Sequence, residues 1–443
     1  MSNCPHTPDE IDQMLETAGV SSFDELFSDI EPGIRSKPLN LEDGKSEFEV
    51  LEYLKGLSEK NTLNCPSFIG GGFYDHYIPS VIDPLAGRAE FYTAYTPYQP
   101  ECSQGTLQAL YEYQTSICRL TGMYASNASL YDGGTALAEA AIIACRSTGR
   151  NKIIIDECVN PLYRDIISTY LSSLNCSIIC LEHDNYNLNR AGLEKILDNE
   201  TAAVILQNPN FFGSIDDYTD LTDVIHSKSA LAILSVYPVS LGLLKTPSEM
   251  GIDIAAGEGQ SLGNPLNFGG PYLGFIAVEK KYIRKLPGRI AGATIDKDGK
   301  KGYVLTLQAR EQHIRREKAT SNICTNQNLC ALRALIYLVS LGKQGFKEVA
   351  ELSYNKAYYA KKMFSDIKGI SIRNTTPVFN EFTLGFDKNA ETVYSKMLEK
   401  GILAGIPLGK FYSNMENDLL VCVTEKTKKE DIESYAALLQ EIL

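Results

Sequence analysis

Between residues 105 and 278 the chain repeats one pattern, in which short apolar runs are separated by helical stretches. The runs are Lys152-Ile-Ile-Ile-Asp156, Ser177 to Leu181, Ala202 to Leu206, Leu231 to Ser235 and Leu273 to Val278. Tyr163 to Leu174 and Tyr218 to His226 read as helices between the first four, and Gly105 to Leu120 and the Ala-rich Ala136 to Cys145 read as helices before them. A strand that is apolar on both faces must be covered on both faces. Helical crossovers also bring successive strands into parallel alignment. The pattern therefore predicts a large α/β domain with a mostly parallel sheet between two layers of helices.

The two ends differ from this middle. Thr7-Pro8-Asp9-Glu10 combines a capping hydroxyl, a proline at the first helical position and a glutamate three residues after the cap, and Gly19 supplies a stop. A second helix is expected after Ser46, with Phe48, Leu51, Leu54 and Leu57 along one side. Beyond residue 325 come an apolar helix from Leu329 to Leu341, a helix around Lys347 to Phe364, short strands near Ser371 and Phe382, a helix from Thr392 to Lys400, a strand from Leu419 to Thr424 and a terminal helix. The organisation expected is a helical arm over 1–64, a large α/β domain over 65–325 and a smaller α+β domain over 326–443.

Charge and cysteine usage narrow the function. With 42 Lys plus Arg against 55 Asp plus Glu, the chain has a formal charge of −13, the wrong sign for neutralising nucleic-acid phosphates. No uninterrupted apolar run reaches the roughly 18 residues of a membrane span, and the first twelve residues lack the basic and apolar blocks of a secretory signal. The 11 cysteines are scattered and form no Cys-x-x-Cys, and the five histidines pair with no ligand pattern. Reduced thiols in a cytoplasm, no disulfide frame and no metal site are the expectations.

Four segments carry residue types suited to chemistry. Asp132-Gly-Gly-Thr135 opens a helix, either as an ordinary cap or as a cradle whose free N–H groups and positive dipole end hold a phosphate. Phe91-Tyr-Thr-Ala-Tyr-Thr-Pro-Tyr-Gln-Pro-Glu101 is a rigid loop rich in tyrosine hydroxyls, fit for a ligand pocket, a subunit interface or plain packing. Upstream, Gly70-Gly-Gly-Phe-Tyr-Asp-His76 offers a histidine that could carry a proton or merely satisfy a turn. Gly251 to Gly270 holds five glycines in its last fourteen residues and no lysine. The mixed-charge run Arg310 to Lys318, followed by Ala-Thr-Ser-Asn-Ile-Cys-Thr325, reads first as a solvated helix face.

Taken together, the helix-opening Asp-Gly-Gly-Thr, FYTAYTPYQPE, GQSLGNPLNFGGP and REQHIRREKATSNICTNQ resemble the N-terminal half, or alpha subunit, of the P-protein family of the glycine cleavage system. The resemblance covers essentially the whole chain. It implies the aminotransferase-like fold of fold type I pyridoxal-phosphate enzymes. It also implies participation in glycine decarboxylation, with transfer of the aminomethyl group to the lipoyl disulfide of H-protein. Fixing Pro265 and Gly269-Gly270-Pro271 on the family's catalytic half puts Gln260 where the Schiff-base lysine stands. The resemblance also implies Ser235, at the end of the strand Leu231 to Ser235, in place of the acid facing the pyridine nitrogen, and Cys158, ahead of Asn160-Pro161, in place of the stacking histidine. An amide forms no imine, and a serine supplies no counter-charge.

The resemblance thus implies a subunit without its own covalently held cofactor. Its Asp132, Gly133, Gly134 and Thr135 are then an inherited phosphate loop now serving as a cap. Pyridoxal phosphate belongs to a beta subunit in a heterodimer or a pair of heterodimers. Tyr95, Thr96 and Tyr98 would reach the partner's glycine or cofactor, with Ser321, Asn322 and Thr325 near its phosphate. Two alternatives stand beside this reading: a self-sufficient pyridoxal-phosphate enzyme using Lys245, and a scaffold or regulatory protein of the same fold.

Overall fold

The computed structural model describes residues 5–36, 40–61, 65–267 and 269–443. The chain divides into two compact units, Met1–Asn64 and Cys65–Leu443. In the first, the helix Pro8–Thr17 opens on the expected capping box: Glu10 N–H donates to the Thr7 hydroxyl and Thr7 N–H to the Glu10 carboxylate, at 3.3 and 2.7 Å. The helix Glu47–Ser58 repeats the device with Ser46 and Glu49. Its Phe48, Leu51 and Leu54 are exposed.

The second unit is built on a seven-stranded sheet. In chain order its strands are β1 (Ala125–Ser126), β2 (Lys152–Asp156), β3 (Ser177–Leu181), β4 (Thr201–Asn208), β5 (Leu231–Val236), β6 (Ile254–Glu258) and β7 (Gly274–Val278). Their spatial order is β1-β7-β6-β5-β4-β2-β3. The five strands from β3 to β6 pair in parallel, and β7 runs antiparallel to both β6 and β1. Alternation along each strand divides the core. Ile153, Ile155, Ile205 and Ile233 pack beneath Ala136, Leu137, Ala140 and Ala144 of the helix Gly133–Thr148. Ile154, Val204, Leu206 and Leu234 face Leu193, Leu221 and Ile225 on the opposite side. The alanines let helix and sheet backbones approach closely, which accounts for the Ala-rich composition of that helix.

A hairpin that is not among the expected strands, β8 (Ala291–Ile295) and β9 (Lys301–Leu305), projects from this body. Two glutamines of the helix Gln104–Thr121 pin it. Gln104 pairs with both backbone groups of Tyr303, and Gln114 does the same at Ala291. The expected pair of C-terminal helices is one span, Asn328–Ser365, broken at Gly342, whose φ of +61° and ψ of −173° lie outside helical space. By length and composition this span could cross a membrane. Ala331, Ala334, Tyr337, Phe346 and Ala350 instead pack it against Tyr113, Phe275 and Ala277 of the core. A four-stranded antiparallel sheet completes the unit, in the order β10 (Ile370–Ile372), β11 (Glu381–Phe386), β13 (Asp418–Cys422), β12 (Ile406–Pro407).

Candidate functional site

In an open parallel sheet, ligands bind beyond the carboxyl ends of the strands. Here that place is closed from within. Asp132 caps the helix Gly133–Thr148, its carboxylate accepting the Thr135 N–H at 2.8 Å while the Thr135 hydroxyl accepts the Asp132 N–H at 3.1 Å. The N–H of Gly133 points at the Glu258 carboxylate, 2.9 Å away at the end of β6. The same carboxylate accepts the N–H groups of Gln260 and Leu273, at 2.8 and 2.9 Å. A side-chain anion thus occupies the anion position of this helix N-terminus. There is no slack around it: a Cβ placed on Gly133 would sit 2.9 Å from both the Glu258 nitrogen and the Tyr163 hydroxyl. Burial pushes the Glu258 carboxyl up to about 7, against the pull of its three N–H donors.

Gln260, buried, spends its amide on the chain. Its oxygen accepts the Tyr74 N–H at 2.9 Å, and its nitrogen donates to the carbonyls of Tyr74 and Asn264 at 3.1 and 2.8 Å. The Tyr74 hydroxyl donates to Glu381 at 2.6 Å, and Glu381 also accepts the Gly71 N–H at 2.7 Å. Burial raises the Glu381 carboxyl to about 7 as well. Ser235 is buried and lies in register between Gln207 of β4 and Ala256 of β6. Cys158 packs among Phe211, Phe212, Tyr412 and Met415, and burial lifts its thiol well above the ordinary value.

Pyridoxal phosphate does not fit these residues. At the positions that the resemblance assigns to its phosphate, lysine, acid and stacking group stand a helix start met by the Glu258 carboxylate, the Gln260 amide tied to backbone, Ser235 and the apolar-packed Cys158 thiol. Glu258, Tyr74 and Glu381 are not among the expected site residues. A carboxylate two residues before Gln260 is visible in the sequence, but nothing in one dimension shows that it folds back onto Gly133.

Two further expectations are settled by their surroundings. His76 is buried between the Glu425 carboxylate, 2.6 Å from its Nδ1, and the Tyr237 hydroxyl, so it is a satisfied internal histidine. Burial pushes Glu425 up, yet the His76 hydrogen bond and charge, together with the Tyr77 N–H, outweigh that and leave its carboxyl below the ordinary value. Lys245 is half exposed, 2.5 Å from the Asp217 carboxylate. Its ammonium is held in a surface ion pair, which does not favour the alternative that made it a Schiff-base lysine.

The other expected residues gather on an exposed face. Tyr95 is 76% exposed and Tyr98 46%. The Thr96 hydroxyl meets the Thr325 hydroxyl, joining the aromatic loop to the segment after the mixed-charge run. The Ser321 hydroxyl donates to Glu139 at 2.8 Å, and Asn322 is exposed beside it. Ser321 and Asn322 line an open cleft of about 300 Å³ with Arg146 and Arg316. Burial pushes the Glu139 carboxyl up to about 7 in spite of the Ser321 bond.

The run Arg310 to Lys318 is solvated over most of its length, as expected, with Gln312 and Ile314 to Lys318 exposed, but it is not one helix and Arg310 and Glu311 turn inward. It folds as three short turns, Gln308–Arg310, Gln312–Arg315 and Arg316–Lys318. Glu311 is buried against Arg289, and Arg310 turns inward to the carbonyls of Leu286 and Gly288. The buried cation of Arg289, distant in sequence, draws the acid in.

Known proteins share this architecture over the full length. A model of the family described as glycine cleavage system P-protein matches residues 1–439. The chain is 58% identical over 440 residues to a Geotalea uraniireducens protein named "Probable glycine dehydrogenase (decarboxylating) subunit 1", covering 99% of each. It is 56% identical over 443 residues to a protein of the same name from Citrifermentans bemidjiense, covering all of both. A crystal structure of glycine decarboxylase (P-protein) of the glycine cleavage system, in inhibitor-bound form, superposes over the whole of both chains with a TM-score of 0.91 at 41% identity. A glutamate decarboxylase from Lactobacillus brevis, 13% identical over 93% of this chain and 96% of its own with a TM-score of 0.65, shares the fold alone. The fold is that of the fold type I pyridoxal-phosphate enzymes, and the chain belongs to the glycine cleavage system P-protein family.

Proposed function

We propose that this chain is the subunit of glycine dehydrogenase (decarboxylating) that carries no cofactor of its own and completes the site of a second subunit. The observation that carries this reading is the Glu258 carboxylate seated on the Gly133 N–H, with Gln260 two residues on at the lysine position. A pocket filled by its own chain cannot hold the group, so the group belongs to the partner. Together the two subunits decarboxylate glycine and pass the aminomethyl group to lipoyl H-protein.

This chain's share of the work is to bind and orient. Tyr95, Thr96 and Tyr98 present hydroxyls and aromatic faces with little conformational freedom to lose. Ser321 and Asn322 line a cleft of mixed charge, where Arg146 and Arg316 stand with Glu139 and Glu317, and the two guanidinium groups are the donors suited to the partner-held phosphate, with Thr325 further along the same strip. The reading also places the assembly in the cytoplasm, where thiols such as Cys145 and Cys176, with sulfurs 3.8 Å apart, stay reduced.

Glycine–bicarbonate exchange tests it. The two subunits mixed with pyridoxal phosphate and H-protein should exchange, and neither subunit alone should do so. The Tyr95→Phe variant should lower exchange about tenfold or more without weakening assembly, the loss expected of one positioned hydroxyl. Full exchange by the second subunit alone would make this chain a scaffold and refute the proposal.

A further inference from the structure

Arg289 stands just before β8 and is 2% exposed, one of the largest fully buried side chains described. Its guanidinium is the meeting point of three separate segments. One nitrogen forms an ion pair with the buried carboxylate of Glu311 and lies 3.2 Å from the His313 ring nitrogen. The other donates to the Tyr98 hydroxyl at 2.5 Å and to the Cys324 sulfur at 3.2 Å. The guanidinium carbon is also 5.0 Å from the centre of the Tyr98 ring, within cation–π range. Its backbone carbonyl accepts the Ala128 N–H at 2.9 Å, tying the residue itself to the body of the sheet domain.

Taking a charge pair out of water seldom raises net stability, but it fixes geometry, because each charge has few places to go. An arginine suits such a hub better than a lysine: its planar fork offers several donors in set directions, whereas an ammonium is a single point. The segments joined here are the aromatic loop, the turn at 311–313 and the strip ending at Thr325. Two of them carry the residues proposed above to reach the partner's site, and the Thr96 and Thr325 hydroxyls meet close by, two residues from Tyr98 and one from Cys324.

We propose that Arg289 is a positioning residue for that shared site. Paired with Glu311, it holds Tyr98 and the Ser321 to Thr325 strip in the register the partner requires. The inference rests on the proposed completion of the partner's site and names the residue that sets it.

The test is a double-mutant cycle of Arg289→Lys and Tyr98→Phe in the assembled enzyme, reading kcat and KM for glycine in the exchange assay, with thermal unfolding and co-purification measured on each variant. Arg289→Lys keeps a charge for Glu311 but loses the fork. It should fold and assemble, yet lower kcat/KM at least tenfold. Tyr98→Phe changes a surface residue and folds whether or not the Arg289→Lys variant does. Its loss should be large when Arg289 is intact and nearly absent when combined with Arg289→Lys, since the hydroxyl is then already unheld. Two independent, multiplying losses, or wild-type kcat/KM in the Arg289→Lys variant, would overturn the hub. If that variant does not fold, Glu311→Gln takes its place in the cycle: a Tyr98→Phe loss that shrinks in its presence upholds the hub, and one that stays the same overturns it. Should the wild-type pair itself show no exchange above the second subunit alone, the shared site falls and this inference with it.

Discussion

The Glu258 carboxylate stands where an anionic ligand would sit at the start of the helix Gly133–Thr148. A helix N-terminus keeps its N–H groups and its dipole whatever happens to the ligand, and left bare inside a protein they would cost stability. A carboxylate on the adjacent strand end satisfies them. The arrangement has a pH signature. A carboxyl raised from the ordinary 4.5 to about 7 binds its proton more tightly in the folded than in the unfolded state. Its contribution to stability is therefore full below pH 4.5 and is lost as pH rises through 7, a change of roughly 3 kcal/mol. Urea unfolding of wild type and Glu258→Gln across pH 4 to 8 isolates this contribution. The wild type should lose about that amount relative to the variant over the interval, and a constant difference would mean the carboxyl is not raised. The proposed losses at Gln260 and Ser235 are readings the sequence allows, Gln260 from its spacing to Pro265 and Gly269-Gly270-Pro271 and Ser235 from the end of the strand Leu231 to Ser235. The gain at Glu258 is not legible there, because its partners lie 125 and 15 residues away at Gly133 and Leu273.

The helix Gly133–Thr148 and the elements around it divide between local and distant causes. Its start is local chemistry: Asp132 and Thr135 satisfy one another's backbone, and a cap of this kind is worth about 1 kcal/mol. Asp132→Ala should lower stability by about that much in urea while leaving glycine–bicarbonate exchange of the assembled enzyme at the wild-type rate. A collapse of exchange would mean the loop still serves a phosphate. The parallel strands are legible because apolar runs of five or six residues between helices have few other uses, and the break at Gly342 because glycine alone takes its φ of +61° readily. The hairpin β8–β9 is harder to read, although Asp298-Gly299 marks its turn, with Gly299 at φ +78°. Its strands, Ala291–Ile295 and Lys301–Leu305, are short and carry glycine and lysine, so the pattern around the turn is weak. The turns from Gln308 to Lys318 are mostly wet from Gln312 onward, as their composition suggests, and the exception is Glu311, drawn inside by the buried counter-charge of Arg289.

Across the whole molecule, a fold type I architecture is joined to a helix start whose first N–H is met by a carboxylate of the same chain, while Tyr95 and Tyr98 stand exposed. That distribution agrees with the proposed shared active site, in which this chain presents an edge and the partner holds the cofactor. The family and the division into core and loops can be read from the sequence, since long segments such as FYTAYTPYQPE resemble that family and apolar runs alternate with helical stretches. Which loops converge cannot, since Tyr98, Arg289 and Cys324 meet only through folding. Identifying the chain that carries the imine is the most direct measurement of the account as a whole. Mix the two purified subunits with pyridoxal phosphate, reduce with borohydride, separate the chains and locate the adduct by mass spectrometry. The adduct should sit on one lysine of the second subunit and on none of this chain's lysines, Lys245 included. A stoichiometric adduct on this chain would contradict the account.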